Sequence, residues 1–314
     1  MSMLGKILLV LKKFITLFLT FVAAITVIFI IMHSIPGDPI LYMFETTTLT
    51  KEQIEALRAL YGFNKPLYQQ YLDTLYNFLS FNFGRSTRGF SVLDLILTRL
   101  PYTVELAIFG LLWGIVIGLP VGIISAFKQE TLYDYSLYTL TLLFISVPVF
   151  WSGLLLIIIF AINLGWFPPS HATSPNSVIL PSLTLGLAFS GELARVTRSS
   201  IIDILELDYV KLAHAKGLPF HQIALKHVLR NALIPITTLC GMRFGALLAG
   251  VPIVETIFAW PGIGSLVYEA ILARDIPLVQ GCIIFMVFWF ILINSLVDIS
   301  YYYLNPKLKA KVLF

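Results

Sequence analysis

Charge is scarce in this sequence. Lys, Arg, Asp and Glu together supply 12% of its 314 residues, about half the ~25% usual in soluble domains. With 58% apolar residues and a mean hydropathy of +0.89, the chain cannot clothe a water-soluble surface. Cysteine is almost missing: Cys240 and Cys282 both fall in apolar segments, without the paired spacing of a disulfide framework or a zinc site. Nucleotide-binding and hydrolase signatures are missing too. No GxxxxGK[ST], HExxH or GxSxG occurs, and Gly262-Ile263-Gly264 lacks the third glycine of a dinucleotide fingerprint. No carboxylate pair is clustered for acid–base work, so no catalytic residue is assigned. Any work this protein performs draws its energy from another chain.

What is present is a series of apolar runs long enough to cross ~30 Å of hydrocarbon. They predict an all-α, polytopic membrane protein with spans near 14–32, 104–127, 133–164, 179–197, 232–254 and 280–303. Six spans are expected, with seven as the alternative, because 133–164 is long for one helix and short for two. Pro148 and Gly153 near its middle point to a kinked or tilted helix. Lys6, Lys12 and Lys13 before the first run suggest the basic region of a signal peptide. The apolar core that follows is about 19 residues, longer than a secretory one, so a retained span is expected.

Basic residues set the orientation. With an inside N-terminus, Lys6, Lys12, Lys13, Lys128 and the basic residues from Arg195 to Arg230 lie inside, as do Lys307, Lys309 and Lys311. Six of the seven basic residues left outside fall in one long loop, which the positive-inside rule discounts. Both termini are expected to be cytoplasmic. Because the basic residues flank spans and form no stripe, nucleic-acid binding is not indicated. The expected organisation is an N-terminal segment and first span (1–32), an extracytoplasmic helical segment (33–100), a membrane core (101–303) and a cytoplasmic tail (304–314).

The segment 33–100 reads as folded. Thr50-Lys51-Glu52-Gln53 fits a capping box, Ile54, Leu57 and Tyr61 share a helix face, and Gly62 supplies a stop. A second amphipathic helix is expected from Pro66, carrying Leu67, Tyr71, Leu72, Leu75, Phe78 and Leu79. It packs on neighbouring spans, lies along the outer interface or covers the mouth of a pathway.

Charges within or at the ends of spans are Glu105, Glu192, Arg195, Arg243 and Asp298. Intramembrane charge is costly and normally faces a partner or a wet cavity. Arg243 sits mid-span among small residues in GMRFGALLAG, so lining a pathway and pairing across helices are equal readings. The histidines are His33 and His171 in outer loops and His214, His221 and His227 in one polar stretch. They are too scattered to assign a metal site.

That polar stretch, Arg195 to Arg230, is the most informative part of the chain. Helical periodicity breaks once, at Gly217-Leu218-Pro219: Gly217 permits the positive φ that ends one helix and Pro219 starts the next. Val210, Ala213 and His214 stack at helical spacing, and small Ala213 and Ala215 permit close approach of a foreign backbone. A basic helix–turn–helix between two spans suits docking of a soluble partner. Resting on anionic lipid is the other reading.

DYVKLAHAKGL (208–218) followed by HVLRNALIPI (227–236) resembles the cytoplasmic EAA-type loop of binding-protein-dependent ABC importer permeases. Gly217 matches that motif's glycine and Ala213 its second alanine. Lys211 and Leu212 replace the glutamate and first alanine, and Pro235 lies further on, departures that resemble the peptide/nickel branch. PGDP (36–39), YGFNKPLYQQY (61–71), NFGRS (82–86), LPYTVELA (100–107), SVPVFW (146–151), ETIFAWPGIG (255–264), ARDIPLVQ (273–280) and LNPKLK (304–309) extend the resemblance along the chain.

The resemblance implies an inner-membrane subunit of a bacterial or archaeal importer for peptides or nickel, free or chelated. It would pair with a second homologous permease, two ATPase subunits and an extracytoplasmic solute-binding protein. No cofactor is expected on this chain, since ATP and Mg serve the ATPases, and the chain itself is not an enzyme. The loop 198–230 would couple to the ATPase through Val210, Ala213, His214, Ala215, Gly217, Leu218 and Pro219. Arg243, Glu255, Trp260, Pro261 and Gly262 would border the pathway or its external gate. Two rivals, a proton-coupled secondary transporter acting alone and a membrane enzyme, need charged relays or a reactive constellation that the sequence does not offer. The short loop 165–178 leans slightly towards the nickel type.

Overall fold

A computed structural model describes residues 3–34, 36–44 and 50–304. The described residues are helical, apart from loops and one isolated bridge between Arg85 and Ser91. Five helices are long and apolar enough to cross a membrane: Phe14–Ser34, Val92–Phe127, Pro175–Leu205, Phe220–Leu248 and Ile276–Val297. A bent pair, Leu132–Ser146 with Val149–Asn163, makes a sixth if counted as one span. The expected number of spans therefore stands, with different edges. The expected tail beyond Leu304 lies outside the described residues.

The expected kink at 133–164 is a break. The two halves meet at 101°, because Pro148 supplies no backbone donor and Val147 before it is extended, at φ −76° and ψ 124°. The second half ends as a π turn, Ile157–Asn163. The span expected at 232–254 is shifted too: its helix starts at Phe220 and stops at Leu248. Pro101, by contrast, interrupts nothing, and the helix expected from 104 runs from Val92 to Phe127.

The chain separates into two compact units, Met1–Pro101 with Gly262–Leu292, and Tyr102–Pro261 with Ile293–Phe314. In the first, α1 (Met3–Ser34) packs against α4 (Leu67–Leu79). Thr26 Oγ1 and the Tyr71 hydroxyl lie 2.8 Å apart, and His33 Nε2 is 3.0 Å from Gln70 Oε1. Tyr68, Leu72 and Tyr76 on the other side of α4 remain exposed. The capping box opens α3 (Lys51–Tyr61), and Gly62 closes it at φ 75°. Between α1 and α3 runs α2 (Pro39–Met43), capped by Asp38, which also pairs with Arg58 of α3. The aspartate of PGDP thus has a local structural role, holding α2 and α3 together.

The same unit contains a second carboxylate junction. Asp275, 2% exposed, accepts bonds from the Ser86 hydroxyl, from Thr87 N (3.1 Å) and Oγ1 (3.0 Å), and from Leu278 N (3.1 Å). NFGRS and ARDIP, remote in sequence, are joined by this one side chain.

The second unit is organised on α8 (Ile179–Leu205), whose neighbours are α6 (Leu132–Ser146), α7 (Val149–Leu156) and α11 (Arg230–Leu248). Close packing of α8 on α5 (Val92–Phe127) depends on small residues. A Cβ at Gly118 would lie 2.5 Å from the Ser190 carbonyl oxygen, and one at Gly122 would lie 2.6 Å from that of Ala194. Between these helices Asp134, 4% exposed in its side chain, is held by Arg198, Ser125 and Glu130 N.

Candidate functional site: a helical hook on a long rod

Helix α8 ends at Leu205, and a short helix α9 (Asp208–Ala215) follows. Its exit is a Schellman turn. Gly217 N–H donates to the His214 carbonyl at 2.9 Å and Leu218 N–H to that of Ala213 at 3.3 Å, with Gly217 at φ 76°. Pro219 then caps α10 (Phe220–Gln222), which continues through a π turn (Ile223–Leu229) into α11. The expected second helix of the hook and the following span are thus one rod, Phe220–Leu248, of 29 residues, roughly 43 Å at ~1.5 Å per residue.

The structure divides the predicted coupling residues into two sets. Val210, at 0%, and Ala213, at 5%, are buried with Ile201, Ile223 and Val228. They fasten α9 to its supports and offer no surface. His214, Ala215, Gly217 and Pro219 are exposed, and Leu218 is half-buried. The open face also carries Tyr209, Leu212 and Phe220, which sequence reasoning passed over. These apolar residues lie side by side at a polar turn and offer a surface that a partner can cover.

One further residue, Asn231, escaped the sequence reading. Asn231 Nδ2 donates to the Tyr209 hydroxyl at 3.0 Å and to the His227 carbonyl at 2.7 Å, and that hydroxyl donates to the same carbonyl at 3.3 Å. Together with the buried Val210 and Ala213, this network makes hook and rod one mechanical piece.

The residues predicted to border a pathway fall in two places. Glu255 is fully buried on α12 (Pro252–Ile257), and Trp260 is buried just after it. Trp260 N–H donates to the Glu255 carbonyl at 2.7 Å, and its indole Nε1–H to the Tyr102 carbonyl at 2.9 Å. Ala259 between them is at φ 46°, and His171 N–H donates to the Phe258 carbonyl at 2.9 Å. A strained residue held from both sides marks a turn whose shape matters. Pro261 is half-buried, and Gly262 is buried where it precedes α13 (Ile263–Leu272). Glu255 and Trp260 brace this turn from within, and neither forms an open lining.

Arg243 lies elsewhere, on α11, with its guanidinium carbon 5.9 Å from the Phe189 ring centroid. Its Nε is enclosed without a hydrogen-bond partner, and no ion pair reaches it among the described residues. An unpaired guanidinium within a span is costly, by about 2.5–3.5 kcal/mol at a helix centre and by less near a helix end, where Arg243 lies. Stacking on an aromatic ring returns roughly 0.5–2 kcal/mol. Arg243 thus has an aromatic ring beside it and no anion among the described residues.

Residues 118–310 match the family described as "Binding-protein-dependent transport system inner membrane component". The chain belongs to this family. Relatives cover nearly the whole permease. It is 38% identical to the di/tripeptide transport system permease protein DppB of Pseudomonas aeruginosa (strain UCBPP-PA14), over 92% of this chain and 95% of that protein. It is also 38% identical to the glutathione transport system permease protein GsiC of Escherichia coli (strain K12), over 96% of this chain and 99% of that protein. Among solved structures, the MetNI methionine ABC transporter in inward-facing form matches with a TM-score of 0.58 and 16% identity. That match covers 68% of this chain and 97% of the other, a likeness of fold.

This is therefore a multi-pass permease subunit of an inner-membrane ABC importer, a family that works with an ATPase and a binding protein. The secondary-transporter alternative is not favoured.

Proposed function

We propose that this permease forms half of a heterodimeric pathway for short peptides and is driven by two ATPase subunits seated on the hook at α9. Support for the cargo comes from the two relatives, whose names specify di/tripeptides and glutathione; neither name specifies nickel. Both termini and the hook face the cytoplasm, as the distribution of Lys and Arg favours. The chain binds no cofactor and performs no catalysis, and ATP and Mg are used by the ATPases.

The observation that carries this reading is the exposed edge Tyr209, Leu212, Ala215, Phe220 on a hook whose other side is fixed to a long helix. An ATPase that closes on ATP displaces the hook. Because hook and rod move together, the displacement reaches the membrane core without being dissipated locally. Alternating access needs two packings of the helices, biased by ATP on one side and by the loaded binding protein on the other. The strained turn at Ala259 is the part of the second unit we assign to the external gate, with Pro261 and Gly262 following it.

Uptake of radiolabelled trialanine into proteoliposomes tests the reading. The assembled complex with binding protein and ATP should accumulate the peptide, and the permease without ATPase should not. Accumulation by the permease alone, driven by a proton gradient, would overturn it.

A further inference from the structure

Arg243 stands about 20 Å beyond Arg230 along α11 and about 8 Å short of Leu248, at ~1.5 Å per residue. It shares a helix face with the buried Ala232, Ile236 and Leu247, the face that includes Phe189 of α8. Phe189 is itself 1% exposed. It lies so deep against α5 that a Cβ on Gly114 would come within 2.2 Å of its ring. The ring is a fixed backing for the guanidinium.

The cation is only partly enclosed. Nε is sealed and unpartnered, yet the residue as a whole keeps intermediate exposure, so the outer end of the guanidinium is the part left open. Glu105 of α5 and Glu192 of α8 form no ion pair with it among the described residues. A guanidinium stays charged at any working pH and presents a planar fork that matches a carboxylate through two parallel bonds. Donors held in place by a rigid ring, with no acceptor of their own, form half of a binding site.

We infer that Arg243 takes the carboxylate of the solute in transit and so selects for peptides with a free C-terminus. The inference rests on the peptide reading above and adds a specificity-determining residue to it. The contact is transient: the fork catches the carboxylate while the pathway is open to one side and loses it when the helices repack. An acidic side chain of the second permease is the other possible source of a carboxylate, and an assembly measurement tells the two apart.

The experiment uses the full complex with its own ATPase and binding protein in proteoliposomes, at peptide concentrations that saturate the binding protein. Trialanine and trialanine amide are compared in the native complex, Arg243→Gln and Arg243→Lys, with co-purification of the second permease measured in parallel. Arg243→Gln is expected to slow uptake of trialanine about tenfold or more. It should lower the ratio of trialanine to amide uptake by about the same factor with co-purification intact, and Arg243→Lys should fall between the two. An equal fall for both peptides, an unchanged rate for trialanine, or loss of the second permease each overturns the inference. If the native complex takes up no trialanine, the peptide reading itself fails and the inference falls with it.

Discussion

Arg198 grips both carboxylate oxygens of Asp134, through Nε at 2.9 Å and Nη2 at 2.7 Å. The pair ties α8 to α6, and Ser125 of α5 completes the junction. Three helices, one of which leads into the hook, are thereby fixed to each other. Breaking one partner leaves the other charge enclosed, at a cost near 3 kcal/mol for a buried pair and less for one part-exposed. Asp134→Asn should therefore destabilise the complex by about 2–3 kcal/mol and lower its thermal midpoint. The double variant Asp134→Leu with Arg198→Met should recover most of that loss. Equal destabilisation by single and double variants contradicts this.

The Tyr209 hydroxyl is the smallest group that joins hook to rod. Tyr209→Phe keeps the ring and removes two hydrogen bonds, each worth about 1 kcal/mol. The complex should assemble normally and hydrolyse ATP, while uptake per ATP falls several-fold. Measured stoichiometry equal to the native value rules out the rigid-lever account of this network.

Ala259 is held at φ 46°, where a side chain costs roughly 1–3 kcal/mol. Ala259→Gly should leave thermal stability unchanged or raise it by up to about 1 kcal/mol. Ala259→Val should lower it by more than that, since a β-branched residue tolerates this conformation poorly. A glycine variant less stable than the valine one contradicts the geometry of the turn.

Asp38 supplies the pH dependence. Burial pushes its pKa up, but the Arg58 guanidinium and the backbone N–H groups of Ile40 and Leu41 outweigh that, so it lies below its ordinary 3.8. A lowered folded-state value means the contact stabilises fully above 3.8 and is lost as pH falls through the folded value. Hydrogen exchange in α2 and α3 should therefore accelerate only in strong acid. Asp38→Asn should show the faster exchange already at neutral pH, and identical exchange in native and variant protein contradicts the role.

Much of this was legible because the signals are local. Runs of apolar residues gave the spans, and the capping box at Thr50 and the stop at Gly62 are read within four or five residues. Pro148 located the interruption of the third span but not its angle, which depends on how each half packs against α8. The two faces of α9 look alike in DYVKLAHA; only the arrival of Ile223 and Val228 decides that Val210 and Ala213 turn inward. The bonds from Asn231 to the Tyr209 hydroxyl and to the His227 carbonyl leave no sequence mark. Asp275 with Ser86, and Arg198 with Asp134, pair residues far apart along the chain, and no periodicity announces such partners. Arg243 stood out for the opposite reason: a lone charge in an apolar run is conspicuous wherever the fold puts it.

Coupling requires that an ATPase grip the exposed edge of α9. The most direct measurement places a cysteine at Leu212, exposed on that edge, in the assembled importer and follows crosslinking to the ATPase with a short bifunctional reagent. Crosslinking to the ATPase should be efficient, and Gly217→Glu in the same background should abolish both the crosslink and peptide uptake. If Leu212→Cys never reaches the ATPase, or if Gly217→Glu leaves uptake at its native rate, the hook is not where the engine holds.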